Sequence, residues 1–331
     1  MRILLWHVHG SWTTAFVQGA HEYVVPVLPG RGPDGVGRAR TWTWPASVTE
    51  LPPELLADQD FDVVVLQRPH ELELVQRWLR RTPGRDLPAV YLEHNAPDEK
   101  PCTQRHPLAG LNTVPIVHVT HFNQLFWDNG IAPTSVIEHG IVDPGNRYTG
   151  ELARGAVVVN EAGRRGRIVG ADLVPRFAAE ADVDVFGMKA VAFADELVRS
   201  AAGSHAVPIP NAVVGREDLQ TQEEMHTELA RRRVYLHPMR WTSLGLSLIE
   251  AMQLGMPVVA VASTEAVEAV PADAGILSTD VDRLLAGFRK YLFDPEEARA
   301  AGVAGRAAAL ERYGLDRFLS DWDKVLNGVI G

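Results

Sequence analysis

The chain has 331 residues, of which 46% are hydrophobic and 22% charged, and its formal net charge is -10 at pH 7. This length exceeds one ordinary hydrophobic core and suits two α/β domains. An acidic chain lacks the basic face that binds nucleic acids, so we expect no nucleic-acid partner. Cys102 is the single cysteine, which excludes an internal disulfide bond and fits a reducing compartment. We expect no signal peptide, and no apolar run approaches the ~20 residues that a membrane helix needs.

In the first half, short apolar segments alternate with helix-like segments. Segments rich in Val, Ile and Tyr are predicted as strands over 2–8, 23–28, 61–67, 89–93, 116–120 and 135–138. Some are apolar on both faces, as in a parallel sheet covered by helices. A helix is predicted over 71–81, where Leu72, Val75 and Leu79 form one apolar stripe.

A break at 142–146, with the sequence Val-Asp-Pro-Gly-Asn, marks a linker. The alternation then resumes, with strands predicted over 156–160, 183–186, 234–237, 257–261 and 275–277. Helices are predicted over 225–233, with Arg231 to Arg233 in the last turn, and over 246–254. A helix begins at Asp294-Pro295, and a last helix begins near Leu315. We therefore predict a Rossmann-like domain over 1–145, a second over 146–314, and a terminal helix over 315–331.

Three sequence patterns suggest sites that we do not predict. Residues 30–35 spell Gly-x-Gly-x-x-Gly, but Pro33 and Gly37 predict a loop, whereas a dinucleotide fingerprint opens a helix. Aspartate pairs at 58/60/62, 182/184, 280/282 and 321/323 fit turns, strand starts and helix ends. His7 and His9 lie at the end of the first strand without further ligands nearby. We predict no metal site.

Glu250 is the single charged residue between Trp241 and Ser263. A carboxylate in so apolar a segment is expected to be buried, and a buried carboxylate needs hydrogen-bond donors. The hydroxyl groups of a ribose are such donors in Rossmann-like sites; the alternative is a solvated helix face. Thr242 or Ser243 is predicted to cap the helix, and its first N–H groups suit a diphosphate.

The segment resembles the donor-binding signature of GT-B retaining glycosyltransferases, in particular glycosyltransferase family 4. The matching residues are Glu250-Ala251-Met252, Gly255 and Pro257-Val258-Val259. The resemblance implies two Rossmann-like domains facing a central cleft, with the last helix crossing back to the first domain. It implies that Glu250 holds the nucleotide ribose. The donor-binding residues implied are Glu250, Thr242, Ser243, Leu244, Gly245, Leu246 and Arg167. Thr242 stands where the family has a glutamate that contacts the donor sugar, which leaves the sugar open.

The same resemblance points to catalytic residues in both halves. Arg164 and Arg165 follow the first strand of the second domain, where the family places cations on the diphosphate; the alternative is a solvated turn. Such cations would stabilise the leaving diphosphate without a metal. His94 ends a predicted strand, where several family members have a histidine close to the reacting sugar. It would assist the acceptor or donate to the sugar; the alternative is a structural histidine.

Loops after the strands of the first domain would form the acceptor side, with Gly10, Ser11, Trp12 and His70. Residues 139–141, His-Gly-Ile, resemble the family's linker motif. We expect transfer of a sugar from a nucleotide-diphosphate donor to a glycan, lipid or small-molecule acceptor, with retention and without a cofactor. Alternatives are a binding protein without turnover and a sugar-nucleotide epimerase or phosphorylase. We expect a cytoplasmic protein, free or peripheral at the inner face of a membrane. The oligomeric state is left open.

Overall fold

The computed structural model describes residues 1–203 and 211–331. These residues form two compact units. One consists of Met1–Val142 and Tyr313–Gly331, and the other of Asp143–Arg312. Each unit is built on one parallel sheet with intervening helices, so the predicted α/β class is confirmed.

The first unit contains a sheet that has seven strands in the described part of the chain. They are β1 (Arg2–Leu5), β2 (Glu22–Pro26), β3 (Val48–Leu51), β4 (Val63–Leu66), β5 (Ala89–Glu93), β6 (Ile116–His118) and β7 (Thr134–Val136). Their order is β3-β2-β1-β4-β5-β6-β7, with every pair parallel. The connecting helices are α1 (Gly10–Phe16), α2 (Glu71–Leu79) and α3 (His121–Phe126). The order reverses between β1 and β4, which therefore form the switch point of this sheet.

The second unit repeats the design with six strands among the described residues. They are β8 (Leu152–Val158), β9 (Val183–Phe186), β10 (Val213–Arg216), β11 (Arg232–His237), β12 (Val258–Val261) and β13 (Gly275–Ser278). The order β10-β9-β8-β11-β12-β13 reverses between β8 and β11. The helices are α4 (Ala162–Arg165), α5 (Val174–Ala178), α6 (Ala190–Gly203), α7 (Gln222–Leu229), α8 (Leu246–Leu254), α9 (Ala266–Ala269), α10 (Val281–Phe293) and α11 (Pro295–Tyr313).

The last helix, α12 (Leu315–Ile330), belongs to the first unit although it ends the chain. Its buried stripe, Phe318, Trp322 and Leu326, has the helical spacing seen in the sequence. The ring of Trp322 packs 5.5 Å from that of Trp12 on α1. At Gly140 a Cβ atom would lie 2.3 Å from Cβ of Phe318, so this close approach to α12 requires glycine.

Several helix boundaries follow from local chemistry. Thr221 begins α7 with a capping box that uses Glu224. Asp280 accepts a hydrogen bond from the Asp282 N–H at the start of α10, which confirms its predicted capping role. Gly255 ends α8 with a φ of +88°, a left-handed conformation that favours glycine. Residues 30–35 form turns and no helix, as predicted.

One helix prediction is wrong. The helix predicted over 225–233 ends at Leu229, and Arg232 and Arg233 lie in β11 instead of in a last helical turn. The guanidinium of Arg232 is buried and lies 2.6 Å from the carboxylate of Asp184 on β9. A buried carboxylate partner makes a cation tolerable inside a sheet, and local sequence does not reveal that partner.

None of the helices in the described ranges combines the length and the hydropathy needed to cross a membrane.

Candidate functional site

The switch point of the second sheet places two loops side by side. Strands β8 and β11 are parallel neighbours, and the chain leaves them toward opposite sides of the sheet. In open parallel sheets, ligands bind at the carboxyl ends of the strands at such a point. Residues 159–167 follow β8 and residues 238–245 follow β11. Both segments singled out in the sequence thus lie at one edge of one sheet.

Glu250 lies in the middle of α8, and only 3% of its surface is exposed. Its Oε2 accepts a hydrogen bond from Nε2 of Gln222 at 3.0 Å. Nε2 of His226 lies 3.3 Å from the same oxygen. The expectation of a buried, hydrogen-bonded carboxylate is confirmed, and the alternative of a solvated helix face is wrong. Two of the polar partners come from α7, which the sequence did not indicate.

The start of α8 differs from the prediction. The N-cap is Gly245, in extended conformation, and no side chain caps the helix. The prediction that Thr242 or Ser243 caps α8 is wrong, because both precede the cap by two or three residues. Thr242 Oγ1 instead lies 3.7 Å from Sδ of Met239. The first N–H groups of α8 are therefore left to a ligand or to water.

Glycine is required at position 245 by His237, the last residue of β11. A Cβ atom at Gly245 would lie 2.7 Å from Cε1 of His237. Burial lowers the pKa of His237 to about 4, so the ring is neutral at pH 7. Beside it, the hydroxyl of Tyr235 donates to Oγ of Ser247 at 3.0 Å. A neutral histidine thus packs directly under the start of α8.

The arginines that follow β8 differ in how they are paired. Arg164 donates to Oε2 of Glu161 and has a side chain that is 68% exposed. Arg167 is 76% exposed and pairs with Asp172 at 2.8 Å. Arg165 is half-buried, and its guanidinium makes no hydrogen bond or ion pair with another residue that the structure describes. Burial lowers the pKa of Arg165, and the nearby Arg164 lowers it further.

A lysine joins this group from the next strand. Nζ of Lys189, three residues beyond β9, lies 2.6 Å from Oε1 of Glu161. The Lys189 and Arg164 hydrogen bonds lower the pKa of Glu161 to about 2. The sequence-based search missed Lys189, although its position just after a predicted strand places it at the same edge of the sheet.

The first unit carries a second polar cluster at the carboxyl ends of its strands. His9 follows β1, Gln67 follows β4, His94 follows β5 and His139 follows β7. The ring centroids of His9 and His94 are 3.8 Å apart, and those of His94 and His139 are 6.2 Å apart. Nε2 of His94 lies 3.2 Å from Oε1 of Gln67.

All three histidines of this cluster are buried and neutral. Burial lowers the pKa of His9 to about 4 and that of His139 to about 3. Burial, together with the charges of its two histidine neighbours, lowers the pKa of His94 well below its usual value. Neutral imidazoles can both donate and accept hydrogen bonds, so the cluster suits recognition of hydroxyl groups.

Residues 218–308 match the family described as glycosyl transferases group 1. The second unit carries a glycosyltransferase group 1 domain, and the protein is a glycosyltransferase. The matched segment runs from just before α7 into α11 and includes Glu250 and residues 242–246. No curated protein matches the chain significantly.

Solved structures share the fold of this glycosyltransferase. Sucrose-phosphate synthase from Thermosynechococcus elongatus has a TM-score of 0.72 at 14% identity, covering 99% of this chain and 98% of that chain. HepE from Anabaena, in complex with UDP, has a TM-score of 0.68 at 12% identity, covering 99% of both chains. A glycosyltransferase from Rickettsia africae has a TM-score of 0.68 at 11% identity, covering 99% and 98%. These are GT-B structures, and at such identities the likeness establishes the fold alone.

The residues predicted for the acceptor side of the glycosyltransferase are partly brought together. Gly10 and Ser11 begin α1 after β1, and His70 follows β4, so they meet at the switch point of the first sheet. Nε2 of His70 pairs with Asp34 at 2.8 Å. Including Trp12 is wrong, because its ring is fully buried against α12 and cannot touch an acceptor.

Among the described residues, no group of three or more His, Cys, Asp or Glu side chains has a geometry that could hold a metal ion. This includes the aspartate pairs of the second unit, where Asp184 is paired with Arg232 and Arg154. The positive charges near the β8–β11 switch point come from arginine and lysine side chains.

Proposed function

We propose that this glycosyltransferase takes a sugar from a nucleotide-diphosphate donor bound at the β8–β11 switch point. The single observation that carries the proposal is the buried carboxylate of Glu250 in the otherwise apolar α8, inside the matched segment. In this proposal the ribose hydroxyls donate to Glu250. The diphosphate lies between the start of α8 and Arg165, and the backbone of residues 242–246 contacts the donor.

Two of the structures that share the fold support a nucleotide donor. HepE from Anabaena was crystallised with UDP and with UDP-glucose. The fold is common to both proteins over nearly their whole length, so the same edge of the second sheet is available in this chain. The uncharged Thr242 supports a donor sugar that is held by hydroxyl hydrogen bonds and not by a carboxylate.

For the chemistry, we propose transfer with retention of the anomeric configuration, as in glycosyltransferase family 4, and without a metal ion. Arg165 would stabilise the charge that develops on the leaving diphosphate, with Arg164, Arg167 and Lys189 nearby. The acceptor, a glycan, a lipid or a small molecule, would meet the first unit at Gly10, Ser11 and His70, with His94 beside the reacting sugar. The proton NMR spectrum of the product would give its anomeric configuration, and an inverted product would contradict this part.

The direct test is a panel of UDP-, GDP-, ADP- and dTDP-sugars. We expect one nucleotide class to raise the melting temperature, since a ligand that binds only the folded state stabilises it. The same donor should release free nucleoside diphosphate during long incubation and give a glycosylated product once an acceptor is supplied. Conversion of the sugar while it stays attached to the nucleotide would support an epimerase instead. No thermal shift with any member would contradict the proposal.

Replacing Glu250 by Gln is expected to weaken binding of the nucleoside diphosphate by about 1–3 kcal/mol, because a charged hydrogen-bond acceptor is lost. Calorimetry of the variant and the wild type measures the difference. The matched control is Glu268→Gln on α9, an exposed carboxylate of the same unit, which should bind as the wild type does. Unchanged affinity of Glu250→Gln, with an intact melting transition, would remove Glu250 from the donor site.

A 2′-deoxy nucleotide makes the test specific for the ribose. In the wild type, loss of the 2′-hydroxyl should weaken binding, whereas in Glu250→Gln the ribose and deoxyribose forms should bind more nearly alike. Such coupling between a protein change and a ligand change isolates their direct interaction. Equal losses in both proteins would place the ribose elsewhere.

A further inference from the structure

The amide of Gln67 is held in one orientation. Its Nε2 donates to the main-chain carbonyl of Trp6 at 2.6 Å. A carbonyl oxygen can only accept, so the NH2 group must face Trp6 and Oε1 must face away from it. The main-chain N–H of Gln67 donates to Oε2 of Glu71 at 2.6 Å, which anchors the residue at its other end. Both contacts are buried.

This orientation decides which nitrogen of His94 carries the proton. Oε1 of Gln67 lies 3.2 Å from Nε2 of His94. Because that oxygen can only accept, Nε2 must be protonated and donate. In a neutral imidazole the other nitrogen, Nδ1, then has a lone pair and can only accept. His94 lies within this cluster against His9, and burial and the neighbouring histidines keep its pKa well below the usual value.

We propose that Gln67 is a positioning residue that holds His94 in the neutral Nε2–H tautomer, so that Nδ1 accepts a hydrogen bond from a substrate hydroxyl. This proposal rests on the proposed function, in which His94 lies beside the reacting sugar. It also changes the expected role of His94, which accepts from the sugar and does not donate to it. The partner of Nδ1 is therefore a hydroxyl or another donor, and not a carboxylate or a carbonyl oxygen.

The chain offers a matched control in the same unit. Nε2 of His118 lies 3.0 Å from Oδ1 of Asn129. Nδ2 of Asn129 donates to the carbonyls of Gln124 and Trp127, which fixes that amide in the same way. This pair has the same tautomer-fixing geometry, but His118 lies inside β6 and has no role in the proposed site.

The first measurement uses the wild-type protein and needs no ligand. With 15N-labelled histidine, two-bond proton–nitrogen correlations distinguish the two neutral tautomers, and the signals that disappear in His94→Phe assign His94. We expect the Nε2–H pattern for His94, and Gln67→Met should lose that preference. A wild-type spectrum with the proton on Nδ1, or a charged ring at pH 7, would overturn the proposal even if sugar transfer is confirmed.

The second measurement is kinetic, with the donor found active in the panel. Gln67→Met should lower kcat about tenfold to a hundredfold with little change in the donor KM, the size of effect seen when the group that orients a functional histidine is removed. Asn129→Leu should keep the wild-type kcat, even if its melting temperature falls. If His94→Phe abolishes turnover while Gln67→Met matches the wild type, positioning by Gln67 is wrong and the proposed function stands. If no donor turns over at all, the proposed function fails, and the wild-type spectrum still decides the tautomer.

Discussion

Lowering the pH from 7 to 5 is expected to destabilise the first unit by several kcal/mol. Burial lowers the pKa of His9 and of His118 to about 4, and that of His139 to about 3. These side chains are therefore neutral in the folded unit at pH 5. In the unfolded chain their pKa values return to about 6.5, so the unfolded state binds protons that the folded state does not.

The sign follows from this difference in bound protons. Stability rises with pH wherever the unfolded state binds more protons, so it is lost as the pH falls from about 6.5 toward 4. At pH 5, each such histidine contributes about 2 kcal/mol of destabilisation, from 1.5 pH units at about 1.4 kcal/mol each. The contributions within the cluster are less than additive. The charge of His9 lowers the pKa values of both His94 and His139, so they do not titrate independently.

Urea unfolding at pH 7, 6 and 5, followed by tryptophan fluorescence, measures this loss. Seven of the eight tryptophans lie in the first unit, with Trp241 in the second, so the signal reports mainly on the unit in question. His118→Leu should reduce the pH dependence by about one proton. His121→Ala, which removes an exposed ring, should leave it unchanged. Equal free energies of unfolding at pH 7 and pH 5 would contradict the prediction.

How well each strand could be predicted depends on how it is buried. Strand β4 is an uninterrupted Val-Val-Val-Leu run, buried on both faces, and its apolar pattern alone indicates a strand. Strands β3 and β10, with the sequences Val-Thr-Glu-Leu and Val-Val-Gly-Arg, lie at the sheet edges and were missed. Their extended conformation depends on pairing with β2 and β9, which is information that lies outside the segment.

The candidate site follows the same rule. The burial of Glu250 could be predicted because one charge in an apolar helix is a local signal. The partners of that carboxylate, and the meeting of Gln67 with His94, depend on which strands become neighbours. The cap of α8 was wrongly predicted because its start is set by the packing of Gly245 against His237, and not by the hydroxyl residues before it.

Replacing Arg165 by Met is expected to lower turnover about 10²–10³-fold, the range found when one fixed group that stabilises developing negative charge is removed. Arg165 is half-buried and is not neutralised by a carboxylate of the described residues, whereas Arg164 and Arg167 already form ion pairs. A cation that is shielded from water and free of a protein partner interacts most strongly with a bound diphosphate. Arg164→Met and Arg167→Met should therefore lower turnover less than Arg165→Met does.

Three comparisons make this prediction specific to the charge and geometry of Arg165. Arg165→Lys keeps the charge but loses the two-pronged guanidinium, so it should recover only part of the activity. Arg176→Met removes an exposed arginine of the same unit, one that pairs with Asp282, and should turn over as the wild type does. Because the cation acts on charge that develops during bond breaking, kcat should fall more than donor affinity. If Arg165→Met weakens donor binding but leaves kcat unchanged, Arg165 binds the ground state and does not stabilise the departing diphosphate.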